Sequence, residues 1–215
     1  MSEEQMARRV ARELKDGFCV NLGIGMPMIV ASYIPPGVHI LVHSENGVLG
    51  VGPHAPMGME DKDLGNAGDE NVTVVPGASF FDSAEAFAMV RGGHLDVTVL
   101  GGFQVSENGD LSNWKVLGRT VGSYGGAMDL ASGAKKVIVM MKHTTPQEES
   151  KIVTGCTYPI TARRCVSMIV TDVAVIDITK KGLCLREMAP GWTAKEVQDI
   201  TGPHLNADAA VEWVE

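Results

Sequence analysis

Aromatic side chains are scarce: 3 Trp, 3 Tyr and 5 Phe, 5% of 215 residues. A chain this poor in rings, yet holding 25 glycines, does not read as a sandwich or as a binder built on aromatic anchors. Basic charge is also short. Lys and Arg number 18 against 26 Asp and Glu, a net charge of −8. That balance argues against nucleic acid or an anionic membrane as a partner, since their phosphates would repel it. Cysteine is limited to Cys19, Cys156, Cys165 and Cys184, with no CxxC pair and no zinc-like spacing. They read as small buried thiols in a reducing compartment. The six histidines carry no HExxH motif, and no metal site is expected. Gly23-x-Gly25 lacks the third glycine of a dinucleotide fingerprint, with Met28 in its place.

Long apolar runs are missing too. Asn21, Pro27 and the Pro35-Pro36 pair interrupt the longest candidate, which leaves nothing near the ~20 residues of a membrane span. The first residues are acidic and polar rather than a basic lead into an apolar core, so no secretory signal is read there. The expectation is a soluble, cytoplasmic protein. No linker, repeat or low-complexity stretch divides it, and residues 1–215 are expected to form one domain.

What is present alternates between strand-like and helix-like pieces. Ser2 and Gln5 make a capping box, and Met6, Val10 and Leu14 recur at helical spacing toward a stop at Gly17. Residues 18–22 read as a strand running into a glycine loop, Asn21-Leu22-Gly23-Ile24-Gly25-Met26-Pro27, with a helix expected from Pro27 to about Tyr33. Residues 38–42, 72–75 and 97–100 have the unalternating apolar character of strands covered on both faces. Asp82 opens a helix to about Arg91, so 72–100 reads as a β-α-β unit. Further strands are expected at 136–141, 167–170 and 173–178, and a capped helix from Thr193 to about Thr201. The fold class is α/β, a mostly parallel sheet flanked by helices. Of the 25 glycines, 21 lie in residues 1–133. Glycine permits close backbone approach and positive φ, so either a ligand site or a set of tight βα turns lies in that portion.

In open α/β sheets, ligands sit beyond the carboxyl ends of strands. After the strand at 38–42 comes His43-Ser44-Glu45-Asn46-Gly47-Val48-Leu49-Gly50. A carboxylate there, followed by an Asn-Gly turn and another apolar run, is a candidate functional group. The tetrapeptide recurs as Ser106-Glu107-Asn108-Gly109, between polar segments, and Glu107 reads as a solvated turn residue. His43 either orients Glu45 or is a structural histidine.

The segment 42–50 resembles the glutamate signature of class I coenzyme A transferases, in their β-type (B) subunit. Asn21-Leu22-Gly23-Ile24-Gly25, Asn66-Ala67-Gly68, Pro76-Gly77-Ala78-Ser79-Phe80-Phe81, Arg91-Gly92-Gly93-His94, Leu111-Ser112-Asn113-Trp114 and Gly125-Gly126-Ala127-Met128-Asp129-Leu130 extend the resemblance over nearly the whole chain, in the family's order. The match is nearest to subunits acting on 3-oxoacids such as acetoacetate, on a scaffold related to that of sugar-phosphate isomerases. It implies that Glu45 is a covalent nucleophile carrying first the acyl group and then CoA. It implies oxyanion or substrate contacts at Asn21, Gly23 and Gly126, and a CoA path along Gly125, Gly126, Ala127 and Met128. Apolar Val48, Leu49 and Met128 would shelter the intermediate from water. CoA enters as a substrate and no resident cofactor is implied. An A-type subunit is the implied partner, as a heterodimer or α2β2, with acyl-CoA and small carboxylic acids as ligands. In relatives handling succinyl-CoA a lysine often follows Asn-Ala-Gly; here Asp69 stands there, which either alters succinate use or merely completes a turn. Alternative substrates are 3-oxoadipate or a butyrate/acetate–acetoacetyl pair. A non-catalytic partner-binding subunit and a sugar-phosphate isomerase or deaminase are the readings from other classes. The second would call for basic phosphate ligands, and residues 23–58 hold no Lys or Arg.

Overall fold

The computed structural model describes residues 1–118, 123, 125–208 and 210–213. In chain order its elements are α1 (Glu3–Ala11), β1 (Cys19–Leu22), a 3-10 helix (Met26–Tyr33), β2 (Leu41–Ser44), β3 (Val48–His54), β4 (Val72–Phe80), α2 (Ser83–Arg91), β5 (Val97–Leu100), β6 (Gln104–Ser106), β7 (Leu111–Ser112), α3 (Ala127–Gly133), β8 (Lys136–Met140), β9 (Ile152–Val153), β10 (Val166–Val170), β11 (Ala174–Thr179), β12 (Gly182–Met188), α4 (Ala194–Asp199), β13 (Leu205–Asn206) and β14 (Val211–Glu212). The main sheet runs β13-β12-β11-β10-β8-β5-β1-β2-β3-β4, with β14 also on β12. Its centre, β10-β8-β5-β1-β2, is parallel. The wings turn antiparallel, β2-β3-β4 on one side and β10-β11-β12 on the other. A small sheet, β7-β6-β9, lies apart.

The parallel centre is buried on both sides, and its strands show it. In β8, Val137 and Val139 join the core cluster that includes Leu95, Leu130 and Ile176, while Ile138 and Met140 join the one that includes Met6, Val10 and Val20. Successive side chains leave a strand on opposite faces, so an unbroken apolar run serves two cores at once. Each such fully buried side chain contributes roughly 1.5–3 kcal/mol.

Several expected boundaries shift, for local reasons. The Ser2 capping box forms, with Ser2 Oγ accepting from the Gln5 amide and Gln5 Oε1 accepting from the Ser2 amide. The helix nevertheless ends at Ala11 rather than running on to a stop at Gly17, because Glu13 and Leu14 donate three residues back, to Val10 and Ala11, and tighten the last turn. The second strand begins at Leu41, not at 38. Its ladder can start only where β1 offers a partner, at Cys19, and Val38 is instead bonded to Pro35 in a turn. Nor is this strand covered on both faces, since Leu41 is 43% exposed. The expected β-α-β unit over 72–100 is also corrected. β4 pairs antiparallel with β3 at the sheet edge, and three strands separate it from β5. Apolar content at 72–75 identified a strand, but it carried no information on direction. β12 went unread because Gly182-Leu-Cys-Leu-Arg-Glu-Met alternates weakly.

Two polar clusters tie the distant elements together. Glu13 accepts from Arg9 and lies within ion-pair distance of Lys136 and Arg186 at 2.6 and 3.0 Å, joining α1 to β8 and β12. Burial pushes its carboxyl upward, but the hydrogen bonds from Lys136 and Arg9 outweigh that and hold it at about 2. His143 is fully enclosed, with Nε2 2.9 Å from Thr201 Oγ and Nδ1 3.0 Å from Thr171 Oγ. Both hydroxyls also donate to backbone carbonyls, Thr201 to that of Val197 and Thr171 to that of Ala174. Burial lowers the imidazole to about 4, against the opposing charge of Asp172. The native state thus binds fewer protons here than the unfolded chain between about 4 and 6.5, and stability rises with pH across that window. Denaturant unfolding should show full stability above pH 6.5 and a loss of about 3 kcal/mol from this group as pH falls to 4. His143→Leu should remove that slope; an unchanged slope in the variant would contradict the assignment.

Candidate active site

Glu45 sits in the turn between β2 and β3, beyond the carboxyl end of a parallel strand. The turn is built tightly. Gly47 has φ +121°, and a Cβ there would lie 2.0 Å from the Phe81 carbonyl oxygen. The Gly47 amide donates to Ser44 and its carbonyl accepts from the Phe81 amide. Asn46 Nδ2 donates to the Gly65 carbonyl, and Ser44 Oγ accepts from the Ala67 amide. The Asn66-Ala67-Gly68 segment and its neighbour Gly65 therefore brace the Glu45 turn from the β3–β4 loop. Asn66 Oδ1 itself accepts from the amides of Gly68 and Glu70. Asp69 has φ +61° and is exposed in that loop, a backbone state that Asp tolerates better than most residues. The turn reading of this position fits its geometry.

Three of the expected site residues converge. Asn21, on β1 and 1% exposed, donates from Nδ2 to Glu45 Oε2 at 2.9 Å and to the His43 carbonyl at 3.1 Å. Thr98 Oγ approaches Asn21 Oδ1 at 3.4 Å, which orients the amide with its donors toward the carboxylate. Gly126 caps the start of α3. A Cβ on it would press on the edge of the Phe87 ring at 2.9 Å and come within ordinary contact of Glu45 Cγ at 3.4 Å, so this residue lies directly against the glutamate. Gly125 (φ +44°) precedes it, and Ala127 and Met128 open α3, Met128 half-buried. Val48 is buried and Leu49 half-buried beside the turn.

Gly23 plays a different part. Its amide donates to the Val99 carbonyl at 2.8 Å, and a Cβ would press on that carbonyl and on Leu100. The donor expected to face an oxyanion is thus spent inside the fold, where the glycine allows β1 and β5 to approach. His43 is buried and stacked near the Phe81 ring at 6.2 Å, and neither ring nitrogen has a hydrogen-bond partner among the described residues. Burial lowers its pKa, opposed by the Glu45 charge, so it stands as a neutral wall beneath the turn rather than a base bonded to Glu45. Glu107 lies in the β6–β7 turn, with Gly109 at φ +84°. It is half-buried rather than solvated, and far in connectivity from Asn21 and Gly126. Phe87, Thr98 and the Phe81 clasp were not foreseen; only contacts distant in sequence reveal them.

Beside Glu45 opens a groove of about 810 Å³, lined by Leu22, Ile24, Met28, Ile40 and Val75 among others, within the usual range for ligand sites. Among the described residues its lining contains no Lys or Arg. His39 and His43 stand four apart but serve different surroundings, His39 exposed near Asp16 at 3.3 Å and His43 enclosed. Among the described residues no three His, Cys, Asp or Glu side chains converge to hold a metal. The four cysteines are unpaired, and burial raises Cys19 and Cys165 to about 11. No helix among the described residues is long and apolar enough to cross a membrane.

The family model for coenzyme A transferase matches residues 3–199. The chain belongs to the coenzyme A transferase family. It is 50% identical over 210 residues to the B subunit of a probable succinyl-CoA:3-ketoacid coenzyme A transferase of Bacillus subtilis, covering 98% of this chain and 95% of that one. It is 49% identical over 206 residues to the B subunit of the 3-oxoadipate CoA-transferase of Pseudomonas putida, covering 95% and 96%. Among solved structures, an acyl-CoA transferase of Escherichia coli O157:H7 superposes with a TM-score of 0.79 at 19% identity, over 99% of this chain and 43% of that one. That likeness concerns the fold, and the α/β reading with a parallel centre agrees with it. The transferase activity read from residues 42–50 agrees with the family as well.

Proposed function

We propose that this chain is the nucleophile-bearing B subunit of a cytoplasmic 3-oxoacid coenzyme A transferase, exchanging CoA between an acetoacetate-like 3-oxoacid and a second carboxylic acid. The 3-oxoacid is common to the names of both relatives, one a 3-ketoacid enzyme and one a 3-oxoadipate enzyme. Both relatives are B subunits by name, which supports pairing with an A-type subunit. The observation that carries the reading is the Glu45 carboxylate held at 2.9 Å by Asn21, with the Gly126 loop at its Cγ.

The resemblance of residues 42–50 supplies the steps, and that placement supports them. The Glu45 carboxylate attacks the thioester carbonyl of an acyl-CoA, and collapse of the tetrahedral adduct expels the CoA thiolate and leaves an acyl-glutamyl anhydride. The thiolate then attacks the Glu45 carbonyl, and the free acid departs as its carboxylate. A glutamyl-CoA thioester remains, and the acceptor acid runs the same steps in reverse. Each addition places negative charge on an oxygen of Glu45 or of the substrate. Asn21 Nδ2 is the side-chain donor aimed at that charge, and the backbone of the Gly125–Met128 loop flanks the path of the pantetheine arm.

Steady-state kinetics on the co-purified pair should give parallel double-reciprocal lines for the two substrates, the pattern of a ping-pong exchange. Intersecting lines would contradict the covalent route. Asn21→Ala should lower kcat by about 10²–10³-fold while KM stays close to wild type, as for loss of one oxyanion donor. A change confined to KM would show that Asn21 only binds.

A further inference from the structure

The tetrapeptide at 44–47 returns at 106–109, and the chain turns it the same way both times. In each copy the glycine amide donates to the serine carbonyl, Gly47 to Ser44 and Gly109 to Ser106. Each glycine is buried at positive φ, +121° for Gly47 and +84° for Gly109. Each glycine carbonyl is held by a neighbouring segment, through the Phe81 amide in one copy and the Cys165 and Val166 amides in the other. Both asparagines are exposed. One contact separates the copies. Asn46 Nδ2 donates to the Gly65 carbonyl at 2.8 Å, whereas the Asn108 side chain has no hydrogen-bond partner among the described residues.

An Asn-Gly pair is chemically labile. Asparagine is a thermolabile residue, and glycine has no side chain to shield the nitrogen that follows it. That nitrogen can attack Cγ of the asparagine. A bond forms between the glycine nitrogen and Cγ, the Cγ–Nδ2 bond breaks, and ammonia leaves with the proton given up by the glycine nitrogen. Water then adds to either carbonyl of the succinimide and opens the ring to aspartate or isoaspartate. In both copies the glycine amide must first leave the serine carbonyl, so that step does not distinguish them. The side chain must also turn back over its own backbone. Asn46 has to release Gly65 to do so, and Asn108 has nothing to release. We propose that Asn108 is a site of spontaneous deamidation, and that the Gly65 carbonyl protects the matching asparagine beside Glu45. An isoaspartate at 108 would add a methylene to the backbone of a turn whose Gly109 carbonyl holds residues 165 and 166 and whose Glu107 amide donates to Val153. The sheet of β6, β7 and β9 would loosen there. The inference is independent of the transferase reading.

The test incubates the full-length chain in mildly alkaline buffer, folded and in urea, and weighs its peptides over time. A deamidated peptide exchanges NH for O in mass. In the folded chain the Asn108 peptide should convert about fivefold or more faster than the Asn46 peptide, the ratio that one net hydrogen bond sustains. In urea both turns are lost, and the two peptides should convert at equal rates because the tetrapeptides are identical. Asn108→Ser should show no conversion at that peptide and leave Asn46 slow in the folded state. Wild-type chain aged until Asn108 is modified should unfold at lower urea than fresh chain, and Asn108→Ser aged beside it should not. Equal rates in the folded chain, faster conversion at Asn46, or an unmodified Asn108 in folded chain over a period in which both peptides convert in urea would each overturn the proposal. A chain modified at Asn108 that unfolds as fresh chain does would refute the loosening of the small sheet.

Discussion

Glu45→Ala, assembled with its A-type subunit, should lose CoA exchange by about 10⁴-fold or more, the scale seen when a covalent nucleophile is removed. The loss should appear in kcat, because the side chain forms a bond and supplies little ground-state affinity. The complex should still form and unfold at the wild-type temperature, since Glu45 is half-buried in a turn and its one side-chain hydrogen-bonding partner among the described residues, Asn21, keeps the His43 carbonyl as acceptor. Glu45→Asp shortens the arm by one methylene. A displacement of about 1 Å at a reacting atom costs roughly 10²-fold, so this variant should fall between wild type and alanine. Glu107→Ala, within the same four-residue sequence, should exchange CoA at the wild-type rate. Equal losses at Glu45 and Glu107 would mean that the tetrapeptide matters for folding and not for chemistry.

The second large effect is expected at Gly47→Ala. The new methyl would sit 2.0 Å from the Phe81 carbonyl oxygen, at φ +121°. Something must move, and the nearest atoms are backbone of the segment that leads into α2. The positive φ alone costs about 1 kcal/mol or more for a residue with a Cβ. The clash adds loss of the clasp between Gly47 and Phe81. The sum should exceed about 3 kcal/mol of unfolding free energy, measured by urea titration. What remains folded should exchange CoA slowly, because the turn that aims Glu45 at Asn21 is displaced. Gly77→Ala provides the contrast. Its φ is also positive, at +89°, but nothing lies within 4 Å of the added carbon, so only the backbone strain of about 1 kcal/mol should be felt. Similar losses at 47 and 77 would show that φ, and not the approach of Phe81, makes Gly47 necessary.

Much of this site was legible in sequence because its parts are local. Capping residues at Ser2, Asp82 and Thr193 mark helix starts that the structure forms. The unalternating apolar runs of β5 and β8 mark strands buried on both faces. Glu45 stands out because a carboxylate directly after an apolar strand is unusual. The failures have one cause, that pairing is not written locally. Nothing in residues 72–80 indicates that β4 runs antiparallel at an edge, and nothing at Gly23 indicates that its amide is taken by Val99, 76 residues away. The length of β2 was set by where β1 begins.

The most direct test is to trap the carrier itself. The assembled pair would be incubated with acetoacetyl-CoA and no acceptor acid, quenched with borohydride, and its peptides weighed. A glutamyl thioester is reduced to an alcohol at its carboxyl carbon, so the peptide holding Glu45 should lose the mass of one oxygen atom and gain two hydrogens. The shift should map to Glu45 and vanish in Glu45→Ala. A shift on any other residue, or unmodified peptides from a pair that still exchanges CoA, would contradict the account.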